Sequence, residues 1–139
     1  MSRIGSKDTK PELAVRKLLF HDGYRYRKNY YGLPGRPDLV LHKYKSVIFI
    51  NGCYWHACDC GLFKVPKNNR PFWLKKFAEN IERDARNTDK LIKMGWRVAV
   101  VWECALRQSS RNYDATLVAD VLKDWLLSNS REIEIKKDQ

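Results

Sequence analysis

Four cysteines restrict the folds open to this chain, because all four can serve one metal. Cys53, Cys58 and Cys60 crowd into NGCYWHACDCG, and Cys104 stands alone in VWECAL, just after an apolar run. Thiolates at C-x4-C-x-C with a distant fourth suit a closed tetrahedral zinc site, which leaves no coordination position open. Such a site is structural. It would hold the loop over residues 52–71 and fix Tyr54, Trp55 and His56 within it. The alternatives are two disulfides or four unrelated thiols. The N-terminal MSRIGSKDTKPEL lacks the apolar core of a signal peptide, so the cytoplasm is the expected compartment, where reducing conditions favour metal over disulfide.

A chain of 139 residues is expected to form one domain spanning 1–139 with a single moderate core, and 44% apolar residues argue against disorder. No stretch approaches a membrane span in length. The formal charge of +11 is uneven: residues 1–45 hold 11 Lys and Arg against 4 Asp and Glu, a net of +7. Such a balance points to a polyanion, most simply nucleic acid, and aromatic residues near the basic segments can stack on or wedge between bases.

Local signals order the elements. Thr9 and Glu12 make a T-x-x-E capping box with Pro11 in the first turn, and Gly23 ends the helix that follows. Residues 24–30 read as a strand or extended arm, and LPGRP (33–37) as a turn. Asp38–Leu41 and Ser46–Asn51 form a hairpin through His42–Lys45. Asn69 and Pro71 open a second helix that runs to about Met94 and stops at Gly95; Trp96–Trp102 is a buried strand. Tyr113–Leu127 is an amphipathic third helix, and the tail over 131–139 either adds a strand or stays loose. The order α-β-β-β-α-β-α predicts an α/β or α+β sandwich around a mixed sheet.

Several residues could carry chemistry. Asp38 follows GRP at the head of an apolar strand, as a turn residue or as a ligand for a hard cation. The partner strand ends Phe49-Ile50-Asn51 without an acid, so a second protein ligand there would be a backbone carbonyl. His56 is either a zinc ligand or, with four cysteines already available, a free imidazole able to accept a proton from an attacking water. Glu12 is accounted for by its capping box. Asp84 shares a helix face with Trp73 and Phe77, and needs a partner, either structural (Arg83, Arg97) or a catalytic histidine. Tyr54, Trp55 and Trp73 are core residues or rings able to enter a base stack.

Together KDTKPE (7–12), LPGRPDLV (33–40), VIFINGCYWHACDC (47–60), LFKVP (62–66), FWLKKFAENIERD (72–84) and GWRVAVVWECAL (95–106) resemble the very-short-patch-repair (Vsr) family of DNA mismatch endonucleases, over roughly residues 3–127. The resemblance implies a restriction-endonuclease-like core, a mixed central sheet flanked by helices, with a structural zinc added. It implies magnesium-dependent nicking of double-stranded DNA 5′ to the thymine of a T:G mismatch, by a monomer associated with the nucleoid and with mismatch-repair proteins as candidate partners. By position it makes Asp38 the magnesium ligand, for two ions, with the Ile50 carbonyl beside it. His56 becomes the general base, Glu12 an acid reaching metal-bound water, and Asp84 the residue that orients the histidine. Cys53, Cys58, Cys60 and Cys104 become the ligands of one zinc, and Tyr54, Trp55 and Trp73 the DNA-intercalating wedge. Cys58 stands where the family often has histidine, and Ile50-Asn51 where some members have Thr-His. Met1 falls where members already have a preceding arm that helps clasp mismatched DNA, so the resemblance supports nuclease chemistry more firmly than mismatch specificity. The other readings are a site-specific restriction or mobile-element nickase on the same core, and a zinc-stabilised DNA-binding module without activity.

Overall fold

The computed structural model describes residues 10–28, 32–51, 67–106 and 114–136. Within them five strands form one mixed sheet in the order β1-β2-β3-β4-β5. These are β1 (Arg27–Lys28), β2 (Leu39–Leu41), β3 (Ser46–Asn51), β4 (Arg97–Trp102) and β5 (Glu132–Ile135). The first three pair antiparallel, whereas β3, β4 and β5 run parallel. The helices are α1 (Lys10–His21), α2 (Arg70–Lys93), the single turn α3 (Glu103–Leu106) and α4 (Thr116–Leu126).

Strand alternation divides the interior in two. Leu39, Leu41, Ile48, Ala99 and Val101 pack with Val15 and Leu19 of α1 and with Val118, Leu122 and Trp125 of α4. The intervening Val40, Val47 and Val98 turn to the opposite face and meet Leu91 near the end of α2. A sheet buried on both faces explains why β2, β3 and β4 read as apolar runs rather than as alternating strands. At about 25 cal/mol per Å² of apolar surface, each fully buried Leu or Ile contributes ~1.5–3 kcal/mol.

The expected boundaries hold closely for α1, the hairpin, α2 and β4. Helix α2 stops where Gly95 takes φ +92, with its N–H on the Ile92 carbonyl and the Trp96 N–H on the Leu91 carbonyl, both at 3.0 Å. That 5→2 and 6→1 pair is a Schellman closure, which needs the left-handed residue that glycine supplies without penalty. Helix α1 closes in the same pattern, through Gly23 and Tyr24. The 3₁₀ turn His42–Tyr44 and Lys45 in the left-handed region make the tight β2–β3 connection.

One element departs from expectation, and one of two open alternatives is realised. The third helix, expected over Tyr113–Leu127, is α4 and begins at Thr116, whose N–H and hydroxyl both donate to the Asp114 carboxylate, at 2.8 and 2.6 Å, while the single turn α3 directly after β4 was not expected. Of the two alternatives for the tail, the strand forms over 132–135: Ile133 and Ile135 pack against the α1/α4 core and give the edge strand β5 a half-buried face. Thr9, the capping partner of Glu12, lies outside the described residues.

Arg97 fastens α4 to the foot of the sheet. Its guanidinium donates to the carbonyls of Trp125, Leu126 and Ser128 at 2.6, 3.1 and 3.0 Å, and its Nε to Ser130 at 3.0 Å. It also lies 4.4 Å over the Trp125 ring. A cation on the carbonyls that end a helix satisfies acceptors with no intrahelical donor and offsets the helix dipole. Among the described residues no helix is long and apolar enough to cross a membrane.

Candidate active site

A turn held from two sides delivers the acid at the centre of the site. In LPGRPD the Arg36 N–H donates to the Leu33 carbonyl at 3.1 Å, and Gly35 and Arg36 both take positive φ, +80 and +51. A Cβ on Gly35 would stand 3.1 Å from the Phe49 ring and 3.2 Å from Asn87 Cβ. Glycine suits that left-handed position, where any side chain would be strained and would press on Phe49 and Asn87. Asp38 therefore leaves the turn at a fixed point, and the backbone N–H of Ile50 donates to its Oδ2 at 2.6 Å.

The inner face of α1 arrives from the other side. Glu12 is only 3% exposed and Arg16, one turn later, 4%. A capping residue at a free helix end stays in water; this glutamate lies in the interior, where its field reaches Asp38. Burial is the largest influence on Asp38 and the Glu12 charge the next; together they push its carboxyl from 3.8 up to about 7, against the Ile50 N–H and the Arg16 charge, which pull it down. An acid whose ionised form is penalised by desolvation and by a second acid is suited to meet a cation.

Helix α2 supplies one continuous face. Trp73 lies half-buried and stacks on buried Phe77, with ring centres 5.9 Å apart and planes at 29°. Asn80 is buried and Asp84 half-buried on the same stripe. Phe72 meets the Trp73 ring edge-on at 5.2 Å and is 59% exposed, with Lys67, Arg70, Lys75 and Lys76 exposed around it. An exposed ring set against a half-buried one, amid cations at a helix start, suits base stacking. Arg97, one of the two arginines considered for Asp84, is taken up by the end of α4 instead.

Cys104 is buried in α3, directly after β4. Asn51 and Trp102 are register partners at the ends of β3 and β4. His56, Tyr54, Trp55, Cys53, Cys58 and Cys60 lie outside the described residues. Among the described residues no group of three or more His, Cys, Asp or Glu could hold a metal, and three of the four zinc candidates fall beyond them. The structure thus brings Asp38, Glu12 and the backbone of Ile50 together, and sets Trp73 and Asp84 on one face of α2. Two residues escaped the sequence reading. Arg16 had a signal, since a basic residue four after a glutamate shares its helix face. Phe72 had none that separates it from the ordinary aromatic beside it.

Residues 1–62 match the family model described as DNA mismatch endonuclease Vsr. The sequence is 42% identical over 135 residues to the DNA mismatch endonuclease Vsr of Escherichia coli (strain K12), covering 97% of this chain and 86% of that one. It is 51% identical over 110 residues to the type II nicking enzyme V.NmeAIP of Neisseria meningitidis serogroup A, 79% of each chain. To the type II nicking enzyme V.XorIIP of Xanthomonas oryzae pv. oryzae it is 44% identical over 106 residues, 76% of this chain and 78% of the relative.

Proposed function

The chain belongs to the Vsr family of DNA mismatch endonucleases, and from that footing we propose that it nicks one strand of duplex DNA 5′ to the thymine of a T:G mismatch. The observation that carries the chemistry is the meeting of Asp38, Glu12 and the Ile50 backbone at the mouth of the hairpin. Carboxylate and carbonyl oxygens are hard donors of the kind magnesium takes, and magnesium needs few of them when a phosphate completes its shell. The residues fit the ion. Asp38 titrates high because its charge is desolvated and faces another acid, and a divalent cation relieves both.

Asp38 and the Ile50 carbonyl would hold magnesium, as two ions. In a strand the N–H and C=O of one residue project toward the same neighbour, so the Ile50 carbonyl faces the side on which its N–H meets Asp38. When bound, magnesium supplies positive charge against the charge that develops on the attacking and leaving oxygens. Glu12 would position water from the α1 side. His56 would accept the proton of the attacking water, with Asp84 fixing the orientation of the imidazole.

Cys53, Cys58, Cys60 and Cys104 would bind one structural zinc. Support comes from the sheet: Cys53 and Cys104 each follow by two residues a member of the Asn51–Trp102 pair, and Cys104 is buried. Zinc would fasten the segment that carries Tyr54, Trp55 and His56 to the end of β4. Trp73, braced on Phe77, would join Tyr54 and Trp55 in entering the base stack. The enzyme acts in this reading as a monomer in one domain, among nucleoid DNA and mismatch-repair proteins.

A second reading has specific support, since several relatives are called type II nicking enzymes: the same core nicks at a recognised site. Matched duplexes carrying T:G or C:G at one position, incubated with and without magnesium, decide between them. Nicking confined to T:G with magnesium is expected, and abolished in Asp38→Ala. Equal nicking of both duplexes would favour site recognition. Undiminished nicking by Asp38→Ala would end the proposed chemistry.

A further inference from the structure

Arg16 is a buried cation to which the chemistry above gives no task. It lies 4% exposed, one turn from Glu12 on the inner face of α1. Taking a guanidinium out of water is costly unless anions face it, and a guanidinium cannot shed its proton to escape the cost. The field of Arg16 reaches Asp38 and opposes that of Glu12. The Tyr26 hydroxyl donates to the Arg16 carbonyl at 3.2 Å, which ties this turn of α1 to the segment leading into β1. Buried Glu12 and Arg16 thus share one region with half-buried Asp38, and with both acids ionised the net charge there is minus one rather than minus two.

We propose that Arg16 is a resident counter-cation of the active site, a positioning residue that holds Glu12 and Asp38 together while no divalent ion is present and weakens the binding of that ion by charge competition. The inference rests on Asp38 being a metal ligand. A net charge of minus one attracts a divalent ion less than minus two does, yet it lowers the cost of holding two acids side by side beforehand. The site is thereby preassembled for magnesium at the expense of affinity for it. Lysine in the same place would keep the charge, and a neutral side chain of similar length would not.

The test is titration of the full chain, without DNA, with Mn²⁺, reading the free ion by electron paramagnetic resonance. Arg16→Met should bind Mn²⁺ roughly tenfold more tightly than the parent, the size expected of one partly screened unit charge acting on a divalent ion. Arg16→Lys should return binding to within about twofold of the parent on the same grounds. The half-saturating magnesium concentration for nicking should fall in Arg16→Met and be restored in Arg16→Lys. If Arg16→Met does not fold, Arg16→Gln carries the same expectation. Mn²⁺ binding that is unchanged or weaker in a folded neutral variant would overturn the proposal. Asp38→Asn serves as the reference: if Mn²⁺ binding survives there undiminished, the fault lies in the metal-ligand reading and not in the role of Arg16.

Discussion

Replacing Asp38 with Asn should stabilise the metal-free protein at neutral and alkaline pH while removing its activity. Desolvation first, and the Glu12 charge second, raise the Asp38 carboxyl from 3.8 to about 7. A carboxyl whose value is higher in the folded than in the unfolded chain contributes stability that is complete below the unfolded value and is lost as pH rises through the folded one. The parent therefore weakens between pH 3.8 and about 7. At ~1.4 kcal/mol per pKa unit, the whole window is worth up to ~4 kcal/mol. Asparagine matches the shape, keeps an acceptor for the Ile50 N–H, and has no charge to desolvate. The stability gap between variant and parent should be near zero at pH 4 and reach ~2–4 kcal/mol at pH 8, read by urea unfolding in a chelator. Magnesium should then narrow the gap from the parent's side only, because it binds the folded parent and not the variant. A gap that stays flat with pH, or a variant less stable than the parent at pH 8, would refute the desolvation account.

Three further outcomes follow from particular contacts. Gly35→Ala must combine positive φ with a Cβ 3.1 Å from the Phe49 ring; it should cost ~2–3 kcal/mol in thermal unfolding and depress nicking, since the turn that sets Asp38 has to shift. Arg97→Met removes the donors on the ends of α4; a loss of ~2–4 kcal/mol is expected, with nicking at low temperature retained. Cys104→Ser should lower bound zinc and thermal stability together, and a variant with full metal content and an unchanged melting temperature would remove Cys104 from the zinc set.

The legible parts of the fold are those in which local chemistry and tertiary need agree. Gly23 and Gly95 mark the ends of α1 and α2 because a left-handed residue is required there, and the turn LPGRP is punctuated by the same kind of residue. The apolar runs of β2, β3 and β4 announced strands. The tail was ambiguous because Glu132 and Glu134 alternate with Ile133 and Ile135 on an edge, a pattern that becomes a strand only when β4 stands beside it. The start of α4 lies at Thr116 rather than Tyr113, where the Asp114 carboxylate accepts from the Thr116 N–H, a local contact that the apolar period of the helix does not reveal. In the site, Asp38 was legible by its place after GRP. Residue by residue Glu12 was explained by its capping motif, and only the family resemblance gave it a site role; its burial is a tertiary fact. Arg16 carried only the signal of its spacing from Glu12, which a solvated helix face explains equally well.

The register of β3 on β4 gives the molecule two poles. Arg97 pairs with Ser46 at one limit of the ladder, and Trp102 pairs with Asn51, next to Ile50, at the other. Five steps of strand separate them, ~17 Å at the usual rise. Anchorage of the last helix and the proposed hydrolytic site thus occupy opposite shores of the same sheet. Selection or engineering can harden the first shore, through α4 and its collar of carbonyls, without moving an atom that a phosphodiester would touch.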